Sequence, residues 1–195
     1  MEGLPTLQAL FDHLKLTQWD ALIVGDGSGS TWEHGIGWAG ILVDHYSNNR
    51  KLVYGAMNVG TVSISEMMPY IYAMAWYATP RGHGTRRRKE LAKLGRKMRI
   101  HIVTDSQYVA SCAEHKASRR AHAELWAALD AYRHSGFEMI YHHIPRDVVS
   151  LNILVDEVAR RARLDLKDSF QRAIQDLQKR YPGLPDDVSI YDFSP

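Results

Sequence analysis

The chain has 195 residues, 45% of them apolar and 24% charged, with a formal net charge of +2. That length accommodates one domain with a sizeable core of its own. The single cysteine, Cys112, excludes an intrachain disulfide and fits a reducing compartment. No opening stretch has the form of a signal peptide, and no apolar run approaches the about 18 residues of a membrane span. These features predict a soluble, cytoplasmic protein.

Residues 5–15 (PTLQALFDHLK) put Leu7, Leu10, Phe11 and Leu14 on one helical face and predict a short packing helix. Residues 22–24 form a brief buried strand that runs into Gly25-Asp26-Gly27-Ser28-Gly29. Residues 38–43 and 51–59 predict two more strands around a polar turn at 44–50, a spacing that suggests an antiparallel meander. The period then changes. Residues 65–77 (SEMMPYIYAMAWY) predict an apolar helix with Ser65 as N-cap and Pro69 in the first turn, the one place a helix tolerates it.

From Arg81 to Arg99, nine Lys and Arg stand against Glu90 alone, a local charge of +8 that leaves −6 for the rest of the chain. A helix is expected over about residues 85–97, and so dense a basic patch implies a polyanion partner. No aromatic residue interleaves it. Arg86, Arg87, Arg88 and Lys89 are therefore expected to meet phosphates, not bases.

Residues 99–109 (RIHIVTDSQYV) carry the most information. Ile100, Ile102 and Val103 predict a buried strand, Thr104-Asp105-Ser106 its C-terminal edge, and residues 107–113 a helix. Asp105 then stands at the mouth of a sheet, where α/β proteins place ligands. Residues 121–133 predict an amphipathic helix, 137–144 a fifth strand stopped by Pro145, and 155–181 a long helix ended by Pro182 and Gly183. The remaining tail shows no period.

Four carboxylates fall at element ends in this layout: Asp26, Glu66, Asp105 and Asp156. Singly, each has an ordinary explanation as a turn residue or a first-turn acid facing a helix dipole. Together, converging carboxylates repel and are costly to desolvate unless a cation neutralises them. An oxygen-only donor set suits Mg²⁺ or Mn²⁺, not zinc. Two such ions about 3.5–4 Å apart would clamp the attacking and leaving oxygens of a phosphodiester, with water as nucleophile.

Over about residues 20–163 the chain resembles the type 1 ribonuclease H family, in VGDGSGSTWEHGIGWAGIL, SEMMPYIYAM, TDSQYV, HIPR and NILVDEVARRA. The resemblance implies an α/β fold: a mixed five-stranded sheet, its first three strands antiparallel and its fourth and fifth parallel, flanked by helices. It implies a catalytic domain at 20–163 with a basic insert at 81–99, which the periodicity flanks with an N-terminal packing helix at 1–19 and a C-terminal helical extension and tail at 164–195. It also implies that Asp26, Glu66, Asp105 and Asp156 bind two Mg²⁺ ions, and that the partner is an RNA–DNA hybrid.

Two departures from the family pattern stand out. Where relatives carry a glycine–histidine pair that helps product leave, this chain offers Arg146, ten residues before Asp156, with His143 as the alternative. Where relatives carry an Asn-Asn-Arg run, it has Thr61 to Ser65, of which Thr61 and Ser63 can still donate to a phosphate or 2′-hydroxyl. Asn152, in the family-like NILVD, joins them as a nucleic-acid residue. The leading expectation is an endonuclease for the RNA strand of hybrids. The alternatives are a junction-cutting or transposition-type DNA nuclease on the same fold, and a catalytically silent nucleic-acid-binding module.

Overall fold

The computed structural model describes residues 7–29, 35–47, 50–57, 60–80, 82–145, 150–164 and 189–192. In chain order the elements are α1 (Leu7–His13), β1 (Ala21–Gly29), β2 (Ile36–Asp44), β3 (Arg50–Met57), α2 (Val62–Tyr77) and α3 (His83–Lys93). Then come β4 (Met98–Thr104), α4 (Gln107–Ala113), α5 (Ala123–His134), β5 (Phe137–His143), α6 (Ser150–Leu164) and β6 (Ser189–Asp192). A 3₁₀ turn, Arg120–His122, leads into α5.

The strands lie in the order β5-β4-β1-β2-β3-β6. β1, β2 and β3 pair antiparallel, while β4 pairs parallel with both β1 and β5. This is the expected five-stranded mixed sheet. The tail adds a sixth strand to it, β6, parallel to β3.

Side chains alternate across a strand, so each strand feeds two layers. Ile23, Leu42, Ile100 and Ile102 pack beneath Met67, Tyr70 and Met74 of α2, with Trp126 and Leu129 of α5. Leu22, Val24, Ile41, Val43 and Val103 face Leu10 of α1 and Leu154, Val155, Val158 and Ala159 of α6. Covered on both faces, β2 is buried along its whole length, which is why its sequence is a continuous apolar run. No helix among the described residues is long and apolar enough to cross a membrane.

Three expected helices shift their boundaries. α2 begins at Val62 with Thr61 as N-cap, and the Ser65 hydroxyl turns back to donate to the Val62 carbonyl at 2.7 Å. Pro69 therefore sits in the interior of α2, not in its first turn. Its ring lies on the cross-strand pair Gly25 and Gly40, where an added Cβ would approach the Pro69 Cβ to 2.7 and 3.0 Å. α6 begins at Ser150, because the apolar stripe of Leu154, Val155, Val158 and Ala159 already starts at Leu151. Asp156 is thus in the second turn of α6. The expected continuation of that helix beyond Leu164 lies outside the described residues. α3 stops at Lys93, and Gly95, at φ +68°, turns the chain toward β4.

Candidate active site

β1 and β4 are parallel neighbours whose pairing ends at Val24 and Val103. Beyond that point β1 runs on to Gly29 paired with β2 alone while β4 ends at Thr104, and the two strands connect onward to β2 and β5, on opposite sides. A crevice opens at the carboxyl ends of two strands whose connections diverge in this way.

Asp26 is fully buried on β1 and accepts the Gly27 N–H at 2.7 Å through Oδ1. By alternation from Leu22 and Val24 it belongs to the α6 face. Asp105 follows β4 and is only partly buried. Its backbone is pinned on the far side: the Ser106 N–H donates to Thr104 Oγ1 at 3.1 Å, and Ser106 Oγ caps α4 by accepting from Val109 N–H at 3.3 Å. Glu66, 9% exposed, comes from α2. It reaches β1 because Gly27 has no side chain, since a Cβ there would lie 2.4 Å from the Ser65 carbonyl carbon.

Tyr70, one turn after Glu66, floors the crevice. Its hydroxyl lies 2.8 Å from the Gly25 carbonyl and 3.1 Å from the Val103 carbonyl, one on each of the diverging strands. Burial pushes the phenol well above its ordinary pKa. The Thr104 hydrogen bond works the other way, and the charges of Glu66, Asp26 and Asp105 add to the rise. The phenol therefore keeps its proton and remains a donor.

Asp26, Glu66 and Asp105 each offer one oxygen within 4.8 Å of the other two. Three carboxylates this close, two of them buried, repel strongly without a cation. Oxygens bound at about 2.1 Å to one Mg²⁺ lie at most about 4.2 Å apart, so the cluster needs only a slight contraction to hold such an ion. The all-oxygen donor set suits the same class of hard divalent cation. Asp156 is not in this group. It sits partly buried on α6, the helix that covers the face to which Asp26 belongs.

The remaining expected site residues are distributed as follows. His143, at the end of β5, is exposed and its Nε2 lies 3.2 Å from the Asp105 carbonyl. Arg146 lies outside the described residues. Thr61 and Ser63 flank the start of α2, with Ser63 one turn before Glu66; Thr61 Oγ1 accepts the Ile64 N–H at 3.3 Å. Asn152 is 1% exposed, so its side chain is walled in and not presented to a partner. Arg86, Arg87, Arg88 and Lys89 lie on α3, at the opposite end of the sheet. β4, seven residues long, separates the two ends by about 20 Å. Sequence reasoning missed Tyr70, which read as one more apolar-face residue. Its signal was the four-residue step from Glu66.

No family model and no curated protein matches the chain. Solved structures do. LC11-RNase H1, isolated from compost by a metagenomic approach, superposes with a TM-score of 0.57 at 16% identity, covering 75% of this chain and 96% of that one. The same enzyme in complex with an RNA/DNA hybrid gives a TM-score of 0.52 at 17% identity, over 73% and 96%. The N-terminal RNase H domain of a Mycobacterium tuberculosis protein gives 0.53 at 16% identity, over 82% and 99%. The fold is ribonuclease H-like.

Proposed function

We propose that this chain is a divalent-metal-dependent nuclease that hydrolyses the RNA strand of RNA–DNA hybrids. The observation that carries the reading is the convergence of Asp26, Glu66 and Asp105 on the crevice between β1 and β4. The superposition on an RNase H1 that holds an RNA/DNA hybrid supports the choice of substrate.

Asp26, Glu66 and Asp105 would hold the metal, with Asp156 as a further ligand from the α6 side. Bound Mg²⁺ or Mn²⁺, as a pair in the two-metal scheme, supplies charge neutralisation at the phosphodiester and activation of water for in-line displacement. The protein's own part is positioning. Buried Asp26 fixes one wall, Tyr70 sets Glu66 against it, and the capped start of α4 fixes Asp105. Thr61 and Ser63 stand where hydroxyls can reach a 2′-hydroxyl or phosphate, the groups that tell RNA from DNA. His143, whose Nε2 lies 3.2 Å from the Asp105 carbonyl, would assist product release, with Arg146 the other candidate for that role.

The test is cleavage of end-labelled RNA–DNA hybrid beside duplex DNA, duplex RNA and a branched DNA junction, with Mg²⁺, Mn²⁺ or EDTA. Hybrid is expected to be cut, in the RNA strand only, and Asp105→Asn is expected to lower the rate at least about a thousandfold. Undiminished cutting by Asp105→Asn would remove the metal assignment. Preferred cutting of the junction would move the chain to the DNA-nuclease reading.

A further inference from the structure

The sheet end opposite the carboxylates carries a second concentration of charge. Two hollows meet there at Arg96. One, about 310 Å³, lies between the end of α3 and the turn before β5 and is lined by Arg88, Lys89, Arg96, Lys97 and Gly136 among others. The other, about 220 Å³, is lined by Trp19, Asp20, His45, Tyr46, Arg96 and Arg99. Among the described residues, Arg86, Arg88, Lys89, Lys93, Arg96 and Lys97 have no carboxylate within 4.0 Å. The acid in the second hollow is already engaged: Asp20 accepts from the Tyr46 hydroxyl and from the Arg99 N–H, both at 2.8 Å.

Aromatic rings absent from the basic run itself are brought to it by the fold. Tyr46, 49% exposed on the turn after β2, carries the Arg87 guanidinium 3.8 Å above its ring centroid. His45 stands edge-on to Tyr46, with ring centroids 5.2 Å apart, and packs against Trp19 at 4.5 Å. Arg87, held over the Tyr46 ring and paired with Glu90 at 3.1 Å, braces this surface, and the unpaired lysines and arginines beside it suit a strand that presents its phosphates.

We propose that this surface is a second nucleic-acid-binding site, which grips the backbone remote from the point of cleavage. It takes a polyanionic strand on its own chemistry. Only the joining of both ends by one substrate rests on the nuclease reading. The separation of about 20 Å corresponds to about six nucleotides at about 3.4 Å each, so one duplex can engage both ends.

The experiment is titration of a fluorescent 20-base-pair hybrid in EDTA, at several salt concentrations, with wild type and a Lys89→Gln/Arg96→Gln/Lys97→Gln variant. All three positions are exposed, so the fold does not depend on them. The variant is expected to bind at least about tenfold more weakly, with its log–log salt slope smaller by two to three, about 0.9 per lost phosphate contact. Asp105→Asn should keep the wild-type slope. With Mg²⁺, the triple variant should raise KM and leave kcat unchanged. A slope equal to that of wild type overturns the site. So does a wild type that binds no nucleic acid in EDTA at low salt, an outcome that would assign the surface to an acidic protein segment. If no substrate is ever cut but the slope difference persists, the second site stands and the nuclease reading falls.

Discussion

A single phenol, Tyr70, ties together the two strands that frame the candidate site. Its hydroxyl reaches the Gly25 and Val103 carbonyls, and its ring passes so close to Gly25 that a Cβ there would meet Cε1 at 2.9 Å. Tyr70→Phe keeps the ring and deletes the single O–H donor that the two buried carbonyls share, at about 1–3 kcal/mol. For a chain of this size that is a fall in Tm of about 2–12 °C. Because Glu66 stands one turn away on the same helix, kcat on hybrid is expected to drop about tenfold with KM little changed, measured well below the variant's own Tm. An unchanged kcat together with the lowered Tm would reduce Tyr70 to a structural support.

Where α2 crosses β1 and β2, helix backbone lies directly on glycine. At Gly27 an added Cβ would stand 2.4 Å from the Ser65 carbonyl carbon and 2.5 Å from the Glu66 nitrogen, so the helix itself must move. Gly27→Ala is expected to cost about 1–3 kcal/mol of stability, as overpacking does. It should also cost about a hundredfold in hybrid cleavage, since an ångström of misplacement of Glu66 is enough. Gly29→Ala is the milder control, its Cβ meeting the Val62 and Ile36 methyls at 3.1 and 3.3 Å and Val62 Cα at 3.4 Å. Equal activity in the two variants would show that α2 yields without moving Glu66. These glycines also mark what the sequence could and could not convey. β4 and the start of α4 were legible, because an apolar run ends at a polar residue able to cap a helix, and Ser106 does so. The start of α2 was not, since β-branched Val62 and Ile64 are weak helix formers that enter the helix only through the Thr61 cap and packing on the sheet. β6 has four residues, too few to show a period, and is defined by the edge it joins. The carboxylates were legible as types at element ends. Which of them share a point depends on how far α6 carries Asp156 from the crevice, and that is set by packing.

The acid tolerance of the sheet rests on a histidine pair joining β4 to β5, His101 buried and His142 half-buried. His101 Nδ1 and His142 Nε2 are 2.8 Å apart, with rings stacked at 5.0 Å and 12°. At that distance one nitrogen must donate and the other accept, so the pair is stable only while the accepting ring is neutral. Burial lowers both pKa values, and for His142, lowered to about 4, the charge of His101 adds to the effect. Around His101, Arg99 pushes the same way, while a hydrogen bond to the Gln18 backbone carbonyl and the charges of Glu138 and Asp20 oppose it. The folded chain therefore binds fewer protons than the unfolded one between pH about 6.5 and about 4. Stability from this group is complete above the unfolded value and is lost as pH falls through that window, by about 1–2 kcal/mol at pH 5. Strand β5 has β4 as its partner in the sheet and carries His143 to the candidate site, so loosening of the pair reaches the Asp105 carbonyl through the adjoining residue. His142→Gln retains a hydrogen-bonding side chain without a proton to gain. Urea unfolding at pH 7 and pH 5 is expected to show wild type losing about 1–2 kcal/mol more than this variant across that interval. An identical loss in both would place the acid sensitivity elsewhere in the fold.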